Sequence, residues 1–208
     1  MKQWEGLEVD EKRQIELKNR VRPILEEGRP GDWEHTLRTI RYAWDLLRAE
    51  PGDPEIVIST LYLHDIGWSR VDLDDFFNAS PRMKRYTGSC FRHMEEGALL
   101  ARKILDDLHY DKILSDKIVS IISVHDAPET VFSMHDPSAT LVVEADRMDR
   151  YGLESLVRFN RMFGAEFLTG DHKSESRSNL LEGLDLWFKT PTGRSMAKRL
   201  AMEGGLIE

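Results

Sequence analysis

Two adjacent residues, His64 and Asp65, stand in the most apolar stretch of this sequence, where Ile56, Val57, Ile58, Leu61, Tyr62, Leu63 and Ile66 leave almost no polar face. A carboxylate enclosed by such residues costs several kcal/mol unless it is paired, protonated or bound to a metal. A cation must therefore meet Asp65. At roughly 100° of helical rotation per residue, His35 groups with Thr39, Tyr42 and Leu46, away from the charged sector of Glu34, Arg41, Asp45 and Arg48. His93 is in line with Gly97, Leu100 and Ile104, and His125 ends the apolar run that starts at Ile118. Asp146 falls on the Val142 side of its segment, while Glu144 and Arg147 take the opposite, more polar arc. One inward histidine is commonly a satisfied core residue; four inward histidines and two inward aspartates spread over five helices point instead to a metal centre.

Imidazole and carboxylate donors suit a divalent ion of hard or borderline character, such as Mn, Fe, Co, Ni or Zn. The single cysteine, Cys90, rules out a thiolate cage and an intramolecular disulfide. An aspartate placed between two ions can bridge them, and four imidazoles then complete two three-ligand sites with positions left for water and substrate. One or two ions per chain are compatible with this set. Such ions lower the pKa of bound water and neutralise charge building on phosphoryl oxygens. Arg38, three residues after His35, and Arg150, four after Asp146, can reach a phosphate from the same helices; a solvated helix face is the other reading of both. Arg82, Lys84 and Arg85 read more readily as surface residues than as substrate contacts. Asp149 reads as a proton donor, a partner of a ligand or a surface pair, and His109, His135 and His172 as surface or loop residues.

The elements that must position these groups are helical nearly end to end, with no strand-like alternation, repeat or low-complexity segment. An all-α fold in a single domain over residues 1–208 is expected, with its core in 32–165, an N-terminal helix over 7–28 and C-terminal helices over 174–203 packed on it. Gly28, Pro30 and Gly31 close the first helix, Pro51 to Pro54 the next, and Gly67 the third, which runs over 55–68; Asp32 and Asp53 stand at N-cap positions. Further helices are expected near 90–108, 114–125, 137–150, 152–168, 174–189 and 192–203. The polar segment 71–88, with Asp72, Asp74, Asp75, Asn78 and Pro81, reads as a lid. With 29 basic against 37 acidic residues and a net charge of −8, the chain is a poor electrostatic match for nucleic acid or anionic lipid. No signal-peptide core or membrane-spanning run is evident, and with one cysteine this predicts a cytoplasmic protein. No Walker loop, GxSxG elbow or GxGxxG turn occurs.

His35, the pair His64-Asp65 and Asp146 resemble the H…HD…D signature of the HD-domain superfamily of metal-dependent phosphohydrolases. Asp32-x-x-His35-x-x-Arg38 looks like its opening helix and Leu63-His64-Asp65-Ile66-Gly67 its central one. The stretch from His93 to Ala101 resembles the extra-histidine helix of two-metal members, and Glu144 to Asp149 the closing helix. The resemblance covers residues 32–165. It implies an all-α HD-type helical bundle in which His35, His64, Asp65 and Asp146 hold the first ion, and His93, His125 and a bridging Asp65 the second. It further implies hydrolysis of a small phosphorylated substrate, a nucleotide in the small bacterial members that the segments 146–163 and 180–202 resemble. Asp126 stands where cyclic-dinucleotide phosphodiesterases of the superfamily carry a second histidine, and their GYP signature is missing, so that substrate class is disfavoured. The same six ligands resemble those of di-iron HD-type oxygenases, and a non-catalytic HD ligand-binding module is the third reading. Asp65→Ala is expected to abolish metal binding and activity with helical content largely intact, as read by elemental analysis and circular dichroism; unchanged metal stoichiometry would refute the ligand assignment.

Overall fold

The computed structural model describes residues 9–163 and 170–207. Helix α1, Glu11–Glu26, is capped by Asp10, whose side chain accepts from Arg13 N. Helix α2, Asp32–Leu47, starts from Gly31, whose φ of 85° is a left-handed conformation that glycine adopts without strain. Gly31, not Asp32, thus occupies the N-cap position. Asp32 is instead buried and engaged by the backbone N–H and side chain of Arg29. Asp53 does cap α3, Pro54–Leu63, accepting from the N–H groups of Glu55 and Ile56.

Helix α3 is buried from Ile56 to Leu63 because α1, α2, and two later helices surround it: α6, Lys112–Ile122, and α8, Pro137–Met148. A continuous apolar sequence is what a helix enclosed on all sides requires. The expected helix over 55–68 is divided, however. It stops at Leu63, His64 and Asp65 form the corner, and a 3₁₀ turn runs over Ile66–Arg70. That turn lies against α5, Gly88–Asp107, backbone to backbone. A Cβ added at Gly67 would stand 1.9 Å from the His93 carbonyl oxygen and 2.6 Å from Gly97 N, so only glycine fits.

The segment 71–88 is less irregular than its composition suggests. It contains the short helix α4, Asp74–Asn78, and a 3₁₀ turn over Lys84–Tyr86. After α6 come α7, Pro128–Ser133, then α8, then α9, Leu153–Phe163. Residues 164–168 of the helix expected over 152–168, like 7–8 of the first, lie outside the described residues. Helix α10, Gly170–Trp187, begins earlier than expected, and α11, Pro191–Glu203, follows a Thr190 cap. Among the described residues all regular elements are helical, and no helix is long and apolar enough to cross a membrane.

Glu144 and Arg147 are both fully buried, correcting the polar arc assigned to them. The reason is that α8 packs on α2 and α3 with one side and on α10 and α11 with the other. Glu144 accepts from Lys189 N, Thr190 N and Thr190 Oγ1 at 2.6–2.7 Å, so it holds the turn between α10 and α11. Arg147 lies over the Trp187 ring at 3.9 Å. Glu144→Ala leaves two part-buried N–H groups and the Thr190 hydroxyl without their charged acceptor and is expected to cost about 1–3 kcal/mol of stability, read as a lower denaturation midpoint; Glu144→Gln, which keeps an acceptor, should lose clearly less.

Candidate metal centre

Helix geometry delivers the six sequence-identified ligands to one place. His35 projects from the buried stripe of α2, His64 and Asp65 from the corner after α3, His93 from α5, His125 from the turn after α6, and Asp146 from the last turn of α8; all are 6% exposed or less. Among the described residues they form two trios, His35/His64/Asp146 and Asp65/His93/His125.

In the first trio the Nε2 atoms of His35 and His64 are 3.3 Å apart, and Asp146 Oδ1 lies 3.0 and 3.5 Å from them. Donors bonded to one ion at about 2.0–2.1 Å stand about 2.9–3.4 Å apart, so these three atoms fit a common ion. In the second trio the Nε2 atoms of His93 and His125 are also 3.3 Å apart. Asp65 lies between the trios: Oδ2 is 3.4 Å from His35 and His64, and Oδ1 is 3.9 and 3.8 Å from His93 and His125. Two oxygens facing two trios is the disposition of a bridging carboxylate.

The ring nitrogens facing away from the trios fix the tautomers. His64 Nδ1 donates to Leu61 O and His125 Nδ1 to Ile122 O, both at 2.8 Å, while His35 Nδ1 meets Asp149 Oδ2 at 2.7 Å. Each Nε2 lone pair is then available to an ion. His93 is stacked on Trp68 with ring centroids 4.0 Å apart.

Electrostatics reinforce this arrangement. Burial opposes ionisation of Asp65, but Arg29 and His64 outweigh it and hold the carboxyl well below the usual range. Burial likewise opposes ionisation of Asp146, and His35 and His64 outweigh it. For His64 burial disfavours the cation, yet Asp65 and Asp146 lift its pKa to about 10. Its Nε2 proton, in the metal-free protein, occupies the space an ion would fill. His93 is pushed well below its ordinary value by burial and by His125, and stays neutral.

The cation demanded by Asp65 includes a residue that the sequence reading passed over as part of a helix breaker. Arg29 Nη2 donates to Asp65 Oδ2 at 2.6 Å, and its guanidinium lies 4.1 Å from the Trp68 ring centre. Trp68 Nε1 in turn donates to Asp65 Oδ1 at 3.0 Å. Asp149 is neither exposed nor free: it holds His35 and is clasped by Arg38 through Nε and Nη2. Arg38 therefore acts on the centre through Asp149 and His35. Asp126, beside His125, is also drawn in, 3.7 Å from His93 Nε2 and paired with Arg147. The signal for Arg29 was the unpaired buried charge of Asp65; for Asp126 it was its place directly after His125, and for Arg147 the sequence held none.

A cavity of about 200 Å³ opens beside the centre. Arg29, Asp126 and Asp149 line its inner end, Arg150, Arg158 and Lys84 add positive charge, and Phe76, Phe159 and Phe163 form an aromatic wall. Arg150 has no carboxylate partner among the described residues, whereas Arg158 bonds Asp32 at 2.6 Å. Segment 71–88 and α10 meet beside the cavity through polar contacts: Ser80 to Glu175, Arg82 to Ser178 and Glu182, and Asn179 to the Pro81 carbonyl. Of the remaining histidines, His109 and His135 have positive φ in turns, and the side chain of His172 lies outside the described residues.

An all-α bundle whose central helices converge on a buried histidine–aspartate centre places together groups that could hold a metal ion. A family model described as the HD domain matches residues 32–151, and the chain belongs to that family, which consists in general of metal-dependent phosphohydrolases. The crystal structure of Bacillus subtilis YpgQ in complex with ADP is similar in fold, with a TM-score of 0.63 and 21% identity over 92% of this chain and 89% of that one. No curated protein matches the chain.

Binding of a divalent ion to the metal-free protein near neutral pH is expected to release close to one proton from His64, because the ion needs the lone pair that a group of pKa about 10 keeps protonated. Affinity should then rise about tenfold per pH unit from this group. Titration calorimetry in buffers of different ionisation enthalpy reads the proton directly, and a proton count of zero contradicts the assignment.

Proposed function

We propose that this protein is a hydrolase of phosphate esters or phosphoanhydrides, acting on a nucleotide with one or two divalent ions of the Mn, Fe, Co, Ni or Zn group. The observation that carries this reading is the Asp65 carboxylate, which has one oxygen toward His35 and His64 and the other toward His93 and His125, and whose partner Arg29 lines the adjoining cavity together with further cations and phenylalanines. Family membership supports the reaction class, and the ADP held by the similarly folded YpgQ supports the substrate class.

When bound, the ion supplies Lewis acidity toward phosphoryl oxygens and a nucleophile at neutral pH. The chain's own residues do the rest. His35, His64 and Asp146 would hold a first ion, and His93 and His125 a second, with the Asp65 carboxylate available to both. Arg38 and Asp149 fix the His35 ring, so they set the direction of its Nε2 lone pair. Arg150, on the cavity wall and without a carboxylate partner among the described residues, binds a phosphate oxygen, and its positive charge offsets negative charge that grows during P–O cleavage. Arg158 is tethered by Asp32 and adds positive potential from one side. Phe159 and Phe163, stacked with centroids 6.0 Å apart, offer flat apolar faces to a base.

The test is release of inorganic phosphate from nucleoside mono-, di- and triphosphates by protein loaded with each of these ions, under air and without oxygen. Turnover should persist without oxygen, and Arg150→Gln should lower kcat/KM at least tenfold, with a loss in kcat as well as a rise in KM, since a charged hydrogen bond is worth about 1.5–3 kcal/mol. No phosphate release with any ion, or turnover that requires oxygen, would overturn the proposal.

A further inference from the structure

A third group of potential ligands overlaps the second trio. Cys90, His93 and Asp126 bring a sulfur, a nitrogen and an oxygen within 4.8 Å of one another. Cys90 precedes His93 by one helical turn of α5, so both side chains share a face. Asp126 Oδ2 lies 3.4 Å from Cys90 Sγ and 3.7 Å from His93 Nε2. Its other oxygen, Oδ1, is taken by Arg147, a buried guanidinium stacked on Trp187, and this fixes which oxygen faces the cysteine. An ion held tetrahedrally by sulfur at about 2.3 Å and by nitrogen and oxygen at about 2.0–2.2 Å spaces its donors about 3.3–3.6 Å apart. Both measured separations are within a few tenths of an ångström of that range. Cys90 and Asp126 also line the cavity, which gives an ion a way in.

From this geometry we infer that Cys90, His93 and Asp126 form a site for a thiophilic divalent cation, Zn²⁺ or Cd²⁺, distinct from the two histidine–aspartate trios but sharing His93 with one of them. Thiolate ligation selects such ions over Mn²⁺, which favours carboxylate and imidazole. Binding replaces the thiol proton, which passes to solvent, with one metal–sulfur bond; no redox change is involved. Because His93 cannot serve both sites, filling this one removes it from Asp65 and His125. A thiophilic ion therefore competes with the second ion and leaves His35, His64 and Asp146 free to hold the first. The inference stands on these three residues and does not depend on the reaction proposed above.

The test is titration of the full chain with Cd²⁺, reading the ultraviolet thiolate-to-cadmium charge-transfer absorption. Since Cys90 is the chain's sole cysteine, that band reports this residue alone. The band is expected to saturate in the wild type within about two equivalents, one of them filling the His35, His64 and Asp146 trio, and excess Mn²⁺ should raise the Cd²⁺ concentration needed. Cys90→Ser and Cys90→Ala should lose the band while each still binds Mn²⁺, which shows that they fold. Asp126→Asn should weaken Cd²⁺ at least tenfold. Absence of the band in the wild type overturns the site; an affinity unchanged in Asp126→Asn, or indifferent to Mn²⁺, overturns the ligand set.

Discussion

The buried charge of Asp65 is the constraint around which the structure is organised. A carboxylate at 5% exposure cannot stay ionised in a helical core without close positive partners, and the fold provides them from several directions. Arg29 reaches it from the α1–α2 connection, Trp68 from the following turn, and the imidazoles from α2, α5 and α6. Each partner is itself fixed by something else: Arg29 by Asp32 and the Trp68 face, His35 by Asp149 and Arg38, His93 by stacking. The centre is thus a connected polar network in which no ligand is oriented by the ion alone.

Much of this was legible in the sequence because burial of a polar residue leaves a local trace. The apolar setting of His64 and Asp65, and the positions of His35, His93, His125 and Asp146 on apolar faces, can be read from one helix at a time. The demand for a cation at Asp65 was equally local, although the identity of Arg29 was not: it sits among glycine and proline residues, where periodicity carries no information. Glu144 and Arg147 were misread for a related reason. Their arc of α8 looks polar in isolation, and only the later helices, returning over α8, turn it into interior. The division of the third helix at Asp65 also escaped the pattern, because the apolar run continues through a corner that a close backbone contact with α5 imposes.

The cavity beside the centre combines two chemistries that rarely share so small a space. Its inner end belongs to the carboxylates of Asp126 and Asp149, its walls to guanidinium groups and phenylalanine rings. The positive groups differ in how far they are committed. Arg29 and Arg158 are tied to aspartates and shape the field, whereas Arg150 has no carboxylate partner among the described residues and keeps its donors for whatever enters. Tethered charges set the potential of a site and free ones recognise its ligand.

The absence of a side chain at Gly67 has a consequence for how such a centre can vary. Because the turn after Asp65 meets α5 through backbone atoms near His93 and Gly97, the separation between the two trios is set by main-chain contact. Side-chain substitution elsewhere can alter charge, access or donor type, but it has little purchase on that spacing. Adaptation to a different metal or substrate would therefore run through exchange of ligands and reshaping of the cavity wall, with the distance between the trios inherited as a fixed gauge.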